Sequence, residues 1–350
     1  MKSRWTCIAA LVFFAVAATA QYRAALPGYR YKFPQDHFNH PDFQTEWWYY
    51  TGNVKSADGH RFGFEVTFFR QGVDREAKTT SAWDVRDLYF AHLALSDLDD
   101  DKFFHAERTN RAGPGIAGVR DADGRIWNGN WQIAWRGDEQ ILQAVDERFA
   151  LRFTLRSTKP PVIHGESGVS EKAEGSGRAS HYISFTRLNT QGEIELGGGR
   201  FQVSGTAWMD HEFFTHQLEP DQVGWDWMSI QLQDNTELML FHIRRKDGSI
   251  DPHSAGTFVD ARGETTHLRR DEFTLEPEGS TWASPATRAV YPVRWRISVP
   301  KFAIALECST LLPSQELASS AGFVPTYWEG AIVLAGLKGG SPIAGVDIWK

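Results

Sequence analysis

The stretch Trp208-Met209-Asp210-His211-Glu212 places three titratable side chains next to bulky neighbours near the middle of the chain. In a β-strand, successive side chains point to opposite faces, so Trp208, Asp210 and Glu212 share one face and Met209 and His211 the other. Two carboxylates on one face repel, and one of them then holds its proton more tightly. This pattern predicts a general acid, Asp210, tuned by His211 and Glu212. The alternative is that these residues join two domains by ion pairs and hydrogen bonds.

A second aromatic cluster, Thr45-Glu46-Trp47-Trp48-Tyr49-Tyr50, lies closer to the start of the chain. Alternation puts Glu46 on the same face as Trp48 and Tyr50. We therefore expect Glu46 to lie at the edge of an aromatic pocket, and the alternative is a strand-end carboxylate paired with a neighbouring arginine. We also expect the two clusters to belong to matching halves of one protein.

The segments around these clusters have the patterns of β-strands and tight turns. Residues 47–54 and 61–70 flank Ala57-Asp58-Gly59, which is typical of a hairpin. Asn128-Gly129-Asn130 predicts a turn between two short strands. We predict another turn at Thr190-Gln191-Gly192, and only residues 314–320 suggest a helix.

The second half of the chain repeats the plan of the first half. Residues 225–232 and 237–244 predict a second hairpin, and residues 203–208 and 343–349 share the positions of a glycine and a tryptophan. With almost no helical pattern, the architecture that fits is all-β, with two tandem antiparallel barrels or sandwiches. A barrel of roughly eight strands leaves a lumen that can hold one small apolar ligand.

The first 20 residues have the features of an export signal. Lys2 and Arg4 precede an apolar run, and Ala18-Thr19-Ala20 fits a cleavage site. The apolar run is shorter than the ~20 residues that span a bilayer. We therefore expect a periplasmic or secreted protein with no stable membrane span. Cleavage removes two positive charges, which changes the formal charge from −7 to −9, and leaves Cys308 without a disulfide partner.

The composition and motifs restrict the remaining classes of function. There is no basic tract, so we expect no nucleic-acid partner, and the sequence indicates no particular protein partner. His37, His40, His211 and His216, with Glu46 and Asp210, could in principle bind zinc in a hydrolase. However, HExxH is absent, and we expect no metal and no cofactor. Residues 165–169 lack the last glycine of GxSxG, so the usual serine-hydrolase motif is absent. His92 lies in an apolar run, where a histidine is commonly a core residue.

Several motifs resemble those of one family. They are Phe33-Pro34 with Asp36-His37, His40-Pro41, Thr45 to Gly52, Thr67-Phe68-Phe69-Arg70, Ala91-His92, Trp208 to Glu212, Gly224-Trp225-Asp226-Trp227 and Tyr327-Trp328-Glu329-Gly330. The sequence is similar to the hydroxyneurosporene synthase (carotenoid 1,2-hydratase, CrtC-like) family, and most closely to its exported AttH-type, lipocalin-like branch. The resemblance covers nearly the whole chain after the signal.

The resemblance implies two lipocalin-like β-barrel domains, which we place at residues 21–214 and 215–350. It also implies hydration of an alkene in an apolar, isoprenoid- or lipid-like molecule. We expect the catalytic set to be Asp210, His211, Glu212 and Glu46. The residues expected to line the ligand site are Trp47, Trp48, Tyr50, His92, Trp208, Trp225 and Trp227. A lipocalin-type carrier without turnover and a metal-dependent secreted hydrolase remain as alternatives.

Overall fold

The structure is a computed structural model that describes residues 22–73, 75, 85–216, 218–319 and 326–349, with side chains up to residue 346. The predicted export signal lies outside the described residues. Regular structure is almost entirely β-strand, with 3₁₀ turns at Gln35–His37, Asp121–Asp123, Arg270–Glu272 and Pro300–Phe302. Among the described residues, no helix has the length and apolar character needed to cross a bilayer.

The strands fall into two consecutive sets along the chain. The first set is β1 (Thr45–Ser56), β2 (Arg61–Gly72), β3 (Asp87–Asp97), β4 (Lys102–Arg111), β5 (Ala117–Arg120), β6 (Arg125–Asn128), β7 (Trp131–Arg136), β8 (Glu139–Val145), β9 (Phe149–Ser157), β10 (Val162–Ile163), β11 (Ser170–Glu171), β12 (Ala179–Leu196) and β13 (Gly199–Phe214). The second set is β14 (Gln222–Leu232), β15 (Glu237–Arg245), β16 (Ala255–Val259), β17 (Thr265–Arg269), β18 (Thr274–Pro277), β19 (Thr281–Ala283), β20 (Val290–Pro292), β21 (Arg294–Val299), β22 (Ile304–Thr310), β23 (Glu316–Leu317), β24 (Tyr327–Trp328), β25 (Gly330–Lys338) and β26 (Ser341–Trp349).

The first set forms one antiparallel sheet that curls into a nearly closed barrel. Its strand order is β4-β3-β2-β1-β13-β12-β9-β8-β7-β6-β5, and β10 and β11 pair with β12. Side chains bridge the gap between the ends: Asn110 donates to Asn128 at 2.6 Å, and Arg108 donates to the Val145 carbonyl at 3.2 Å. Alternate residues of these strands fill the barrel with aliphatic and aromatic side chains.

The second set forms a nine-stranded sheet in the order β17-β16-β15-β14-β26-β25-β22-β21-β18. Its two edge strands, β17 and β18, are joined through the short turn Arg270–Glu272, and a second apolar core fills its interior. Both predicted hairpins are confirmed, because β1 pairs with β2 and β14 with β15. The predicted similarity between residues 203–208 and 343–349 is also confirmed. These residues lie in β13 and β26, and each of these strands pairs with the first strand of its own hairpin: β13 with β1, and β26 with β14.

The expectation that the two aromatic clusters belong to matching halves is wrong. They lie on adjacent strands of one sheet, where Trp47 pairs with Glu212 and Tyr49 with Asp210. The reason is topological, because β13 returns to pair with the first strand of its own sheet. The strand of the second sheet that occupies the position equivalent to β1 is β14, which starts the equivalent hairpin.

Two local predictions fail and one is confirmed. The turn at residues 128–130 is present between β6 and β7. The turn predicted at residues 190–192 is wrong, since β12 continues through it and turns at Gly197-Gly198. Gly192 permits a close approach to β9, because a Cβ there would meet the Arg152 carbonyl oxygen at 2.0 Å. The helix predicted at residues 314–320 is also wrong over residues 314–319, which contain β23.

The outer face of β1, β12 and β13 packs against the second sheet. An apolar cluster joins Tyr49, Tyr182 and Trp208 of the first sheet to Trp227 and Phe241 of the second. Polar bridges flank this cluster. Gln231 donates to the carbonyls of Thr186 and Ala207 at 2.8 and 2.9 Å. Lys159 donates to Glu237 at 2.6 Å. These contacts hold the two sheets together around the cavity described next.

Candidate functional site

A cavity of about 540 Å³ lies between the two sheets. A ligand of drug-like size fits a space of this volume. Aromatic rings from both sheets form most of its wall. The aromatic residues that line it are Trp47, Tyr49, Phe69, Phe90, Tyr182, Phe214, Trp225, Trp227, Phe241 and Tyr327. Trp225 and Leu218 are partly exposed, at 40 % and 41 %, so they lie where the cavity meets solvent.

Asp210 is one of two buried acids that line this cavity. It lies on β13 with its side chain on the outer face, which it shares with Trp208 and Glu212 as the alternation predicts, and it is only 4 % exposed. Three donors reach its carboxyl group. Trp208 Nε1 donates to Oδ1 at 2.6 Å, the Tyr182 hydroxyl donates to Oδ2 at 2.6 Å, and the Ser184 hydroxyl donates to Oδ1. Trp227 of the second sheet donates to the Tyr182 hydroxyl at 3.0 Å.

The proton of Asp210 is held unusually tightly. Burial raises the pKa of Asp210 to about 7, and the neighbouring charge of Glu212 acts in the same direction. The hydrogen bonds from Ser184, Tyr182 and Trp208 act in the opposite direction. No cation pairs with the Asp210 carboxyl group among the described residues. A substantial fraction of Asp210 is therefore protonated near neutral pH, which is the state that a general acid needs.

Glu212 lies next to Asp210 along the same face but has a different environment. Lys172 Nζ is 3.2 Å from its carboxylate, and the Ser180 hydroxyl donates to it. The Lys172 ammonium also lies over the Phe241 ring, 4.4 Å from the centroid. Glu212 is therefore paired with a positive charge, whereas the donors to Asp210 in the described part of the chain are all neutral. The two carboxyl groups at the cavity wall differ in charge compensation and can take different roles.

Two tyrosine hydroxyls are among the polar groups of the wall. The other polar or charged residues that line the cavity, besides Asp210 and Glu212, are Thr45, Thr67, Arg70, Gln71, Lys172, Ser180, Tyr182 and His216. Tyr49 donates to Glu329 at 2.6 Å, and Tyr327 donates to Glu65 at 3.0 Å. His92 Nδ1 lies 2.6 Å from the Tyr327 hydroxyl. Both hydroxyl protons therefore point into the wall, away from the cavity. The two cations of the lining, Arg70 and Lys172, are paired with Glu46 and Glu212, so the surface suits an apolar ligand better than an anionic one.

The inward face of the same strands carries a separate buried charge cluster. Glu46 is fully buried, and Arg70 Nε donates to it at 3.0 Å. His40 Nδ1 and His211 Nε2 each lie 2.8 Å from Glu46 Oε1. Burial by itself would raise the pKa of Glu46, but the hydrogen bonds from His211 and His40 and the charges of His40 and Arg70 hold it well below its usual range. The cluster ties the segment around His40 to the end of the first barrel.

The same cluster is the strongest candidate for a metal among the described residues. His40, Glu46 and His211 place three ligand atoms within 4.8 Å of one another. The second ring nitrogen of His40 faces the Asp36 carboxylate at 3.2 Å, and that of His211 faces the Asp36 carbonyl at 3.1 Å. However, Glu46 also accepts hydrogen bonds from Arg70 and from the His40 backbone. The donor set therefore fits an ion-pair network better than a metal centre.

The structure divides the residues predicted from sequence between these two faces. Asp210, Glu212, Trp47, Trp225 and Trp227 line the cavity, and Trp208 lies behind Asp210. The residues that face the interior of the first barrel are Glu46, His211, Trp48 and Tyr50. His92 contacts the cavity through Tyr327. Of the other histidines, His37 stacks on Trp135 and His216 pairs with Glu219, so neither joins the His40 cluster.

Sequence reasoning missed the side chains that hold Asp210 in place. Tyr182 and Ser184 lie on β12, directly beside β13, and Lys172 comes from the preceding loop. A signal was present, because Ser180, Tyr182 and Ser184 alternate with apolar or aromatic residues and so form a polar face. The pairing of that face with Asp210 depends on the strand register, which no local pattern specifies.

The fold and the cavity define a class of protein, a lipocalin-like all-β protein with two sheets and a ligand-sized space between them. The sequence matches the family model described as AttH-like over residues 24–344. The chain therefore belongs to the AttH-like family, in agreement with the resemblance found in the sequence. A comparison with curated proteins gives no match.

Three solved structures have the same overall fold. A protein of Nitrosomonas europaea assigned as AttH is 33 % identical, with a TM-score of 0.83, and the alignment covers 94 % of this chain and 99 % of that one. Kievitone hydratase from Nectria haematococca is 14 % identical, with a TM-score of 0.72 and coverage of 94 % and 96 %. CghA, solved with Sch210972, is 12 % identical, with a TM-score of 0.59 and coverage of 95 % and 94 %. The last two show the fold alone.

Proposed function

We propose that this protein binds a neutral apolar molecule, isoprenoid- or lipid-like, between its two sheets and hydrates a carbon–carbon double bond in it. The observation that carries this proposal is Asp210, a buried acid in an aromatic cavity whose pKa is raised to about 7. One structural neighbour is a hydratase by name, and the proposal takes its reaction class from that likeness. The cavity volume of about 540 Å³ lies in the range of pockets that hold drug-sized ligands.

The chemistry needs one proton, one water and a stabilised cation. The Asp210 carboxyl group gives its proton to one alkene carbon, and the other carbon becomes a carbocation. The ring faces of Trp47, Tyr49 and Trp227 stabilise that positive charge. Water then forms the new carbon–oxygen bond, and its extra proton passes to the Glu212 carboxylate. Glu212 is two residues from Asp210, about 7 Å along the strand, and both acids line the same cavity.

An isotope experiment tests this reaction. The purified protein is incubated with farnesol, geranylgeraniol or squalene in water enriched in oxygen-18, and the products are analysed by mass spectrometry. We expect an alcohol that is heavier by one labelled water. Asp210→Asn should reduce its formation by about 100-fold or more. Asp226→Asn is the matched control, because Asp226 is a buried acid that pairs with Arg244 and does not line the cavity. Equal turnover by both variants would refute the acid role of Asp210.

A carrier without turnover is the second candidate, and one observation favours it. The Asp210 carboxyl group accepts hydrogen bonds from three side chains of the wall, as a purely structural acid would. Native mass spectrometry of protein purified from its host distinguishes the two candidates. A ligand that is recovered unchanged after long incubation supports the carrier, as does an Asp210→Asn protein that melts much earlier but still binds the ligand.

We also propose that the protein acts outside the cytoplasm. The support is the basic, then apolar, then small-residue pattern of residues 1–20. N-terminal sequencing of the protein from fractionated host cells tests this. We expect a periplasmic or secreted chain that begins after Ala20. A cytoplasmic protein that retains Met1 would contradict the proposal.

A further inference from the structure

A chain of hydrogen bonds leads from Asp210 through the wall of the first sheet to the second sheet. The Ser184 hydroxyl donates to Asp210 Oδ1. His164 Nε2 lies 2.7 Å from the Ser184 oxygen, and His164 Nδ1 lies 2.8 Å from the Thr257 hydroxyl of β16. All four of these residues are buried, and His164 is 0 % exposed. The reaction proposed above assigns no role to His164.

The donors around Asp210 restrict where its proton can lie. A carboxyl group has about four lone-pair positions on its two oxygens. On Oδ1, Trp208 and Ser184 occupy both positions, and on Oδ2 Tyr182 occupies one. Only the second position on Oδ2 then remains for the proton. Because the side chain of Asp210 lines the cavity, this is the position from which the acid can reach a ligand.

Two of the three donors cannot reverse their direction. The indole of Trp208 has only an N–H to offer. The Tyr182 hydroxyl accepts from Trp227 Nε1 at 3.0 Å, and among the described residues Asp210 is the acceptor within reach of its own proton. Ser184 is different, because its hydroxyl can rotate and donate to a histidine nitrogen instead. If it did so, a position on Oδ1 would open, and the proton of Asp210 could turn into the wall.

The state of His164 decides the direction of Ser184. Burial lowers the pKa of His164 to about 3, and the charges of Lys172 and His267 act in the same direction. The imidazole is therefore neutral, with one N–H and one bare nitrogen. If the proton is on Nε2, His164 donates to Ser184, and the Ser184 hydroxyl must donate to Asp210. The bare Nδ1 then accepts from the Thr257 hydroxyl.

We propose that His164 is a positioning residue, held as its Nε2–H tautomer, which acts through Ser184 to keep the proton of Asp210 directed into the cavity. This inference rests on the proposed function, since it concerns the acid of that reaction. The other ionisable groups near this chain are Glu212 and Tyr182 beside Asp210, and Lys172 and His267 beside His164. None of these four residues is substituted in the variants used below.

Spectroscopy of the ligand-free protein tests the inference. The infrared band of the protonated Asp210 carboxyl group, identified by its loss in Asp210→Asn, is followed against pH. In Ser184→Ala the midpoint should rise by about 1–2 pH units, because one hydrogen bond to the ionised form is lost. His164→Phe should raise the midpoint by a smaller amount. His164→Gln should return the midpoint to the wild-type value, because the Gln amide can also donate to Ser184.

His242→Phe is the matched control, because His242 is a buried, neutral histidine of the second sheet that is stacked on Phe273 and has no link to Asp210. A midpoint that is the same in Ser184→Ala, His164→Phe and His242→Phe would overturn the inference. Nitrogen-15 NMR provides a second test, in which we expect His164 to carry its proton on Nε2 between pH 5 and 9. A proton on Nδ1 would contradict the inference. If His164→Phe does not fold, Ser184→Ala and the NMR result decide.

Failure of this inference differs from failure of the proposed function. The midpoint and the tautomer are measured without substrate, so they do not depend on turnover. If the variants shift the midpoint but Asp210→Asn still forms product, the positioning stands and the acid role fails. If the midpoint does not move and Asp210→Asn loses activity, the acid role stands and the positioning by His164 fails.

Discussion

Glu46 and Asp210 are both buried carboxyl groups, they lie on neighbouring strands, and their pKa values move in opposite directions. Glu46 faces the end of the first barrel, where Arg70, His40 and His211 surround it, and its pKa is held well below the usual range. Asp210 faces the cavity, where burial and the charge of Glu212 raise its pKa to about 7. The burial of the two groups is almost the same, at 0 % and 4 % exposure.

The difference lies in the partners. Cations stabilise the ionised form of Glu46, so it stays a charged anchor for the segment around His40. The hydrogen bonds that Asp210 receives from the described residues come from the neutral groups of Trp208, Tyr182 and Ser184, and these offset just part of the cost of burying its charge. One sequence pattern, an acid among aromatic residues, therefore produces a charged carboxylate on one face of the sheet and a carboxyl group with a raised pKa on the other.

Removal of the charge of Glu46 should produce the largest loss of stability. In Glu46→Gln the Arg70 and His40 cations lose a buried partner, and we expect the free energy of unfolding to fall by roughly 3–5 kcal/mol. Urea denaturation at pH 7 measures this loss. Asp87→Asn, which removes the partly exposed partner of Arg70, is the milder control. A change below about 1 kcal/mol in Glu46→Gln would mean that the cluster does not anchor the fold.

Asp210 should show the opposite dependence on pH. Because its folded pKa is about 7 and its ordinary value is 3.8, the folded chain keeps this proton after the unfolded chain has released it. The stability that Asp210 contributes should therefore fall as the pH rises from about 4 to 7, by about 4 kcal/mol. The measurement is the difference between wild type and Asp210→Asn in urea denaturation at several pH values. A difference that is constant over this range would contradict the raised pKa.

His40 should have a third, smaller effect on folding stability, in a different pH range. Burial lowers its pKa, but the hydrogen bonds and charges of Asp36 and Glu46 raise it overall, from 6.5 to about 9. The stability that it contributes is fully present below pH 6.5 and is lost as the pH rises through about 9, by about 3 kcal/mol. His40→Gln should be less stable than wild type at pH 6 and nearly equal to it at pH 9.5. Thermal melts at these two pH values check this, and a gap that widens at high pH would contradict it.

Trp225 should affect binding with little effect on stability. It lines the cavity and is 40 % exposed, so Trp225→Ala removes ligand contact without opening the core. We expect the dissociation constant for farnesol to rise about 10-fold, which corresponds to about 1.4 kcal/mol. Titration followed by the remaining tryptophan fluorescence measures this constant. Unchanged affinity would place the ligand elsewhere.

The sequence predicts the architecture well, because the patterns that determine it are local. The hairpin at Asp58-Gly59 and the turn at Asn128-Gly129-Asn130 follow from turn residues between alternating segments. The continuous strand through Gly192 could not be predicted, because this glycine permits a close contact with β9 rather than a turn. Local pattern cannot distinguish these two uses of glycine.

The candidate site could be predicted only in part. Alternation correctly separates the Asp210 face from the His211 face, and it groups Glu46 with Trp48. It does not show that Arg70 and His40 neutralise Glu46, while no cation among the residues that the structure describes pairs with Asp210. That distinction depends on the register of β1, β2 and β13 and on the path of the segment before β1. The partners, and therefore the chemical role of each acid, follow from tertiary structure.

The measurement that tests the central claim most directly is the titration of Asp210 itself. Infrared difference spectra of wild type minus Asp210→Asn, recorded from pH 3 to 9 without ligand, report the protonated carboxyl group. The structure predicts a band that disappears with a midpoint near 7. A midpoint near 3.8, the ordinary value for aspartate, would show that Asp210 is ionised at neutral pH and would contradict its role as the acid.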